Sequence, residues 1–235
     1  MRIVLLHGQN HKGSTYHIGR MLADCITCKK DITEFFLPRD LNHFCAGCYS
    51  CVVDETRCPF YDDKKRIMDE LEAADLIIFT TPNYCMAPSA PMKAFMDLNF
   101  TRWMAHKPYS SMFSKRAVVI STTAGMGAMS AIKPITRMLL HWGVPWVKKY
   151  GIAVQAKSWD GVSEKKKDKI EKDMLRLGKS LSKKENVLPH VTFKTKALFA
   201  IMAGMQKGNM GSGPEERKYW EDLGWLGKER PWKKK

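Results

Sequence analysis

Residues 3–15 read Ile3-Val4-Leu5-Leu6-His7-Gly8-Gln9-Asn10-His11-Lys12-Gly13-Ser14-Thr15. The apolar run predicts a buried strand, and a helix is expected to start with Ser14 or Thr15 as its N-cap and to extend to about Cys28. That order places free backbone N–H groups and a helix N-terminus at the carboxyl edge of a sheet, an arrangement that binds phosphate. The loop matches neither a Walker loop nor the glycine pattern of dinucleotide folds. An ordinary strand-to-helix turn stays open as the alternative.

Apolar runs and amphipathic segments alternate through about residue 155. After the first strand, further strands are predicted at 31–37, 76–79, 117–120 and 146–154, with helices at 62–74, 91–103, 130–142 and 163–182. This alternation is typical of an α/β fold with an open, doubly wound parallel sheet. In such a sheet the loops that start at Gly8, Thr81 and Thr122 meet at the carboxyl edge, where ligands bind.

The composition changes after about residue 184. We predict a main domain at 1–185, with a cysteine-rich insertion at 42–61, and a helical, aromatic C-terminal extension at 186–235. The extension holds predicted helices at 193–205 and 215–226, and the second includes Trp220 and Trp225. These rings can pack on the surface of the same chain or on a neighbouring subunit, and we expect the neighbouring subunit.

The chain is basic, with 39 Lys and Arg against 24 Asp and Glu and a formal net charge of +15. The lysines are spread, and the three dense groups (165–167, 183–184 and 233–235) accompany no RNA- or DNA-binding motif. We therefore expect attraction of anionic ligands rather than nucleic-acid binding. No apolar run approaches the roughly 20 residues that span a bilayer, and the first strand follows Met1 directly. We expect a cytoplasmic protein with no membrane contact.

Four of the seven cysteines form the pattern Cys45-x-x-Cys48-x-x-Cys51 with Cys58 further along. Thiolates at two-residue intervals can surround one metal centre, and this spacing suits a 4Fe–4S cluster better than zinc, whose sites usually combine two separated pairs. Free thiols and zinc remain open alternatives. The pair Cys25-x-x-Cys28 lies within a periodic helix, so we interpret it as core packing.

Two further segments resemble the flavodoxin-like NADPH-dependent FMN reductase family. The segments 82–84 (Pro-Asn-Tyr) and 88–97 (Pro-Ser-Ala-Pro-Met-Lys-Ala-Phe-Met-Asp) resemble its isoalloxazine loop and the helix that follows. The segments 8–15 and 123–127 look like its phosphate loop and a third flavin-contacting loop. The resemblance covers roughly residues 1–155 and implies a flavodoxin-like five-stranded parallel sheet of order 2-1-3-4-5.

The resemblance also implies FMN as cofactor, NAD(P)H as co-substrate and a set of binding residues. For the phosphate these are Gln9, Asn10, His11, Lys12, Gly13, Ser14 and Thr15. For the ring they are Pro82, Asn83, Tyr84, Cys85, Met86, Thr123, Ala124, Gly125, Met126 and Gly127. The cysteine loop resembles that of iron–sulfur flavoproteins, a branch of the family, which implies as cluster ligands Cys45, Cys48, Cys51 and Cys58.

We interpret the chain as an FMN-dependent oxidoreductase of the NAD(P)H:acceptor or quinone/flavin reductase type, with electrons passing through a cluster if one is present. Hydride transfer to flavin requires no protein acid or base, so no catalytic residue is predicted. The expected partners are NAD(P)H or a ferredoxin-like protein as donor, and a small molecule or a protein as acceptor. The resemblance implies a dimer or tetramer. The alternatives are an electron-transfer flavoprotein without its own substrate, a flavin or thiol redox sensor, and a phosphate-binding α/β protein without flavin.

Overall fold

The computed structural model describes residues 1–233, so two lysines of the predicted 233–235 group lie outside the described residues. Its sheet has six strands: β1 (Arg2–His7), β2 (Asp31–Phe36), β3 (Leu76–Tyr84), β4 (Ala87–Pro88), β5 (Arg116–Thr123) and β6 (Trp146–Ala153). Five of them pair in parallel in the order β2-β1-β3-β5-β6. If the two-residue β4 is left out, the strand order is 2-1-3-4-5, so the predicted α/β fold and strand order are confirmed.

The short strand β4 is an addition that the sequence did not predict. It pairs antiparallel with the end of β3. The segment after Thr81, which the sequence predicts as a loop, therefore continues β3 as far as Tyr84. The two residues between the strands, Cys85 and Met86, both have positive φ, at 49° and 61°. Such two-residue turns usually carry Asn-Gly or Asp-Gly, and the absence of that signal explains the missed hairpin.

The described part of the chain contains eight α-helices and three short 3₁₀ helices. The α-helices are α1 (Ser14–Asp24), α2 (Ser50–Val53), α3 (Tyr61–Ala73), α4 (Ala90–Leu98), α5 (Ala128–His141), α6 (Glu164–Ser182), α7 (Phe193–Lys207) and α8 (Pro214–Asp222). The 3₁₀ helices span Glu55–Arg57, Phe100–Arg102 and Ser110–Ser114. Among residues 1–233, no helix combines the length and the apolar character that a membrane crossing requires.

The centre of the sheet is buried on both faces because β1, β3 and β5 each contain an unbroken apolar run. Val4, Leu6 and Phe79 face a core formed with α3, α4 and α5, whereas Ile3 and Leu5 face a second core formed with α1 and α6. Continuous apolar strands are typical of parallel sheets covered by helices on both sides. The doubly wound arrangement therefore follows from the apolar runs.

Helix α1 differs from its prediction at both ends. Gly13 occupies the N-cap position without a side-chain hydrogen bond, and Ser14 is already helical, so the predicted Ser or Thr cap is wrong. The helix ends at Asp24 rather than near Cys28. Cys25 and Cys28 pack against the α1–α6 core, which confirms their interpretation as core packing.

The aromatic residues of the C-terminal extension form a third core. Trp220 and Trp225 are buried with Phe199 against Met104 and Phe113 of the same chain. The Trp220 indole N–H donates to the His106 carbonyl oxygen at 2.6 Å, as a buried indole requires. Of the two alternatives, packing on the same chain is therefore confirmed for Trp220 and Trp225, and the favoured packing on a neighbouring subunit is wrong.

Candidate functional site

The loop after β1 is held against β3 by buried hydrogen bonds. The Gly8 N–H donates to the Thr80 carbonyl oxygen at 2.7 Å, and the hydroxyl of the fully buried Ser89 donates to the Gly8 carbonyl oxygen at 2.5 Å. Thr81 Oγ1 accepts from the Ser89 N–H at 3.0 Å. A Cβ on Gly8 would lie 2.7 Å from Ser89 Oγ, so only glycine allows this approach. These contacts fix the position of the loop at 8–13.

The start of α1 is the most favourable place for an anion at this edge. The first N–H groups of a helix have no intrahelical acceptor, and the dipole adds partial positive charge there. The first turn holds no acidic residue. Ser14 and Thr15 are buried at the helix start, whereas His11 and Lys12 are exposed on the loop. Together these groups offer hydrogen-bond donors and positive charge to one anion.

A chain of buried polar groups lies beneath this loop. His7 Nδ1 lies 2.8 Å from Thr80 Oγ1, and His7 Nε2 lies 3.0 Å from Glu34 Oε2. Arg20 Nη1 donates to Glu34 Oε1 at 2.7 Å. The hydrogen bond from His7, helped by Arg20, holds the pKa of Glu34 below its usual value. The chain connects α1, β1, β2 and β3.

The end of β3 and the loop after β5 meet on the other side of the site. Asn83 Nδ2 donates to the Met126 carbonyl oxygen at 3.1 Å, and Thr123 Oγ1 donates to the same oxygen at 2.8 Å. Gly127 has a φ of +88°, and a Cβ there would lie 2.4 Å from Met86 Sδ. The Asn83 Oδ1 atom is buried without a partner among the described residues. Since buried polar atoms are nearly always hydrogen-bonded, this acceptor indicates a place for a ligand N–H.

Exposed apolar side chains surround this acceptor. Tyr84, Met86 and Met126 of the two loops are exposed, and so is Met129 at the start of α5. A Cβ on Gly125 would meet no atom within 4 Å. An open apolar surface beside a glycine without neighbours fits a flat ring system, which can approach the backbone closely there.

The predicted binding residues differ in exposure but lie at the carboxyl ends of β1, β3 and β5. The exposed ones are Asn10, His11, Lys12, Tyr84, Cys85, Met86, Ala124, Gly125 and Met126. Half-buried are Gln9, Gly13, Pro82, Asn83, Thr123 and Gly127, and buried are Ser14 and Thr15. Sequence reasoning missed the positioning contacts of Ser89, Thr81 and His7. A serine followed by the Pro91 helix start was the only signal for Ser89, and no signal pointed to His7.

The four predicted cluster ligands are free thiols in different environments. Cys45 and Cys48 are exposed, Cys58 is half-buried, and Cys51 on α2 is buried. Hydrogen bonds from Ser50 lower the pKa of the Cys48 thiol, whereas burial raises that of Cys51. Within residues 1–233, no three or more His, Cys, Asp or Glu side chains are placed to hold a metal ion. As arranged, the thiols do not fit a cluster.

A buried ion cluster anchors the cysteine loop to the sheet domain. Glu55, three residues before Cys58, accepts from Arg102 at 3.0 Å, from Lys64 at 3.2 Å and from the Tyr109 hydroxyl at 2.8 Å. Burial opposes ionisation of Glu55, but Arg102 and Lys64 outweigh it, so the pKa of Glu55 lies below its usual value. The loop is therefore held by charge as well as by the packing of Cys51.

Comparison with known proteins agrees with this geometry. A curated relative, an iron–sulfur flavoprotein of Methanocaldococcus jannaschii, is 32% identical over 100 residues, which are 41% of this chain and 51% of that protein. The chain thus matches about half the length of this relative.

Similar solved structures share the fold at low sequence identity. An FMN-dependent NADH-azoreductase of Bacillus anthracis, solved with FMN, has a TM-score of 0.59 at 10% identity, with 77% of this chain and all of that chain covered. The flavoenzyme FerB of Paracoccus denitrificans, an NAD(P)H:acceptor oxidoreductase, has a TM-score of 0.51 at 19% identity, with 77% and 97% covered. A profile described as NADPH-dependent FMN reductase matches residues 1–158. The chain therefore belongs to the NADPH-dependent FMN reductase family of oxidoreductases.

Proposed function

We propose that this protein binds FMN at the three-loop edge and uses it to transfer electrons from NAD(P)H to an acceptor. The observation that carries the proposal is the buried, unpaired Asn83 Oδ1 beside the open space at Gly125. An acceptor in this position suits the N–H of a flavin pyrimidine ring. Family membership supports the same cofactor.

Each part of FMN has matching groups in the site. The start of α1, with Ser14, Thr15 and the exposed Lys12, would hold the phosphate. Tyr84, Met86 and Met126 would cover the ring and keep water from it. When bound, FMN supplies hydride acceptance and electron release, while the protein sets orientation and access. No side chain has to move a proton for the reduction of the flavin.

Substitution of Gly125 tests the placement of the ring. We expect Gly125→Val to weaken FMN binding at least about tenfold, the cost of blocking a close ring contact (roughly 1.4 kcal/mol). The thermal unfolding midpoint should not change, because the new side chain meets open space. Titration of the apoprotein, followed by the quenching of FMN fluorescence, measures the affinity.

The matched control is Gly204→Val, a glycine of α7 that also has no neighbouring atom. It should leave FMN binding unchanged. Full FMN affinity in Gly125→Val, or failure of the unmodified chain to bind FMN, would contradict the proposal.

Turnover with NADH or NADPH and a quinone distinguishes the enzyme from its alternatives. The similar solved structures include an NADH-azoreductase and an NAD(P)H:acceptor oxidoreductase, which favours the enzyme. A flavin-loaded chain without turnover would favour an electron-transfer module or a redox sensor. As in the sequence interpretation, we propose that the protein is a cytoplasmic homo-oligomer. Light scattering, which measures the molar mass in solution, tests the oligomeric state.

A 4Fe–4S cluster on Cys45, Cys48, Cys51 and Cys58 is a separate hypothesis. It is supported by the spacing of the four cysteines and by the name of the curated relative, and the thiol arrangement described above does not support it. The hypothesis predicts iron and sulfide after anaerobic purification, lost in Cys48→Ser but kept in the control Cys85→Ser. A preparation with flavin and without iron would refute the cluster and leave the flavin proposal intact.

A further inference from the structure

A cleft on the β6 side of the molecule is lined by cations without a counter-charge. It has a volume of about 400 Å³ and lies between α5, β6 and the start of α7. Its charged residues are Lys133, Arg137, Lys149 and Lys194, and no carboxylate is among its lining residues. All four side chains are exposed. Four like charges without a neutralising acid produce a positive potential that attracts anions.

Two more clefts continue this surface across the edge strand. The second shares Lys149 with the first, and the third shares Arg176 with the second. The third cleft again contains four cations and no carboxylate. The one acid in the series, Asp173 of the second cleft, already accepts hydrogen bonds from Lys169 and Arg176. We name the three clefts together the basic surface.

Edge-strand protection does not account for the basic surface. Lysines on an edge strand prevent pairing with other sheets, and Lys148 and Lys149 on β6 suit that role. The cations on α5, α6 and α7 have no such role because helices offer no open backbone edge. Edge protection therefore leaves the grouping of these helical cations unexplained.

Apolar side chains are exposed at both ends of the basic surface. Leu175 lines the third cleft and is 40% exposed among lysines. Phe193 adjoins Lys194 of the first cleft and is 85% exposed. Exposed Leu and Phe beside Lys and Arg are the combination with which proteins bind at membrane interfaces.

The basic surface extends away from the flavin loops. Val144 and Pro145 of the first cleft precede β6, so this cleft reaches the amino edge of the sheet. The flavin loops lie at the opposite, carboxyl edge. The eight residues of β6 separate the edges by about 25 Å. A partner bound at the amino edge is too far away for direct contact with the proposed ring.

We propose that the basic surface holds the protein on an anionic lipid surface, with Phe193 and Leu175 inserted at the headgroup level. An acidic redox protein would dock near the flavin, and nucleic acid would gain little from exposed Leu175. The proposal changes the expectation of no membrane contact drawn from the sequence. It does not depend on the proposed enzyme activity.

Co-sedimentation with vesicles tests the proposal on the full chain. We expect binding to equal parts of phosphatidylcholine and phosphatidylglycerol, weak binding to phosphatidylcholine alone, and loss of binding at high salt. Lys179→Gln with Lys183→Gln should lower partitioning about fivefold for each charge. Phe193→Ser should lower it roughly tenfold, the cost of one apolar side chain left in water.

Control variants change exposed residues outside the three clefts. One control is the double variant Lys218→Gln with Lys228→Gln, and the other is Met210→Ser. Each should leave vesicle partitioning within about a factor of two of the unmodified chain, because these residues lie outside the three clefts. Circular dichroism confirms folding of every variant. Absence of vesicle binding overturns the proposal. The proposal is also overturned if Phe193→Ser binds vesicles as well as the unmodified chain does and the unmodified chain binds polyglutamate tightly. That result would indicate an acidic protein partner.

Discussion

Replacement of Glu55 with alanine is expected to lower the free energy of unfolding by about 3 kcal/mol, because removal of one member of a buried ion cluster leaves the others uncompensated. Lys64 is fully buried and Arg102 nearly so, and both depend on this carboxylate. Urea unfolding at neutral pH measures the change. Arg102 keeps its contact with Glu72 at 2.8 Å, which places the loss at the lower end of the usual range.

The control for Glu55→Ala is Glu164→Ala. Glu164 is 81% exposed and pairs with Lys167 on the surface of α6, so its loss should cost less than about 0.5 kcal/mol. Equal losses in the two variants would show that the buried cluster does not stabilise the fold.

The pH dependence of stability gives a second readout of Glu55. Its folded-state pKa lies below the usual 4.5 because Arg102 and Lys64 outweigh the effect of burial. A carboxyl group whose pKa is lowered by folding stabilises the folded protein at pH values above its usual pKa. This stability is lost as the pH falls through the folded-state pKa. As the pH falls below 4.5, the usual glutamate pKa, and on through the lower folded-state pKa, the unmodified chain should therefore approach the stability of Glu55→Ala.

Replacement of Gly178 with alanine is expected to destabilise the protein by about 2 kcal/mol through overpacking. A Cβ at this position of α6 would lie 2.6 Å from the Cys25 carbonyl oxygen. Backbone cannot move aside by a change of rotamer, so α6 has to shift from α1. The midpoint of chemical unfolding measures the loss.

Gly204 provides the matched control, since it also lies inside a helix but has no neighbouring atom. Gly204→Ala should stabilise the chain by up to about 1 kcal/mol, the difference in helix propensity. If both alanine variants stabilise the protein, the close approach of α1 and α6 is not what requires glycine.

The parallel α/β sheet was predictable because apolar runs alternate with amphipathic helices, and the strand order followed from the family resemblance. Leu76 to Phe79 is an example: every residue is buried between two helical layers. Features set by tertiary contacts were not predictable. The burial of Trp220 depends on Met104 and Phe113, which are distant in sequence, and periodicity carries no information about such partners.

The candidate site was predictable as three loops but not as a network. The edge of a parallel sheet brings the ends of β1, β3 and β5 together, whatever the loop sequences are. The Ser89 hydrogen bonds depend on the β3–β4 hairpin, which lacks the usual turn residues. For the cysteines, the sequence gives only the spacing of the thiols along the chain. Their positions in space depend on tertiary packing, as the burial of Cys51 on α2 illustrates.

The buried chain from Arg20 through Glu34 to His7 has a consequence for tolerance of acid. Proton uptake by Glu34 weakens the connection between helix and sheet, because the lowered pKa of this carboxyl depends on that connection. The stability it adds is present above its ordinary pKa and vanishes as pH falls through its folded-state value. An anion at the start of α1 would not strengthen this connection, because a nearby like charge opposes ionisation of a carboxyl group. The acidic limit of the folded protein therefore depends on Glu34 and its two partners.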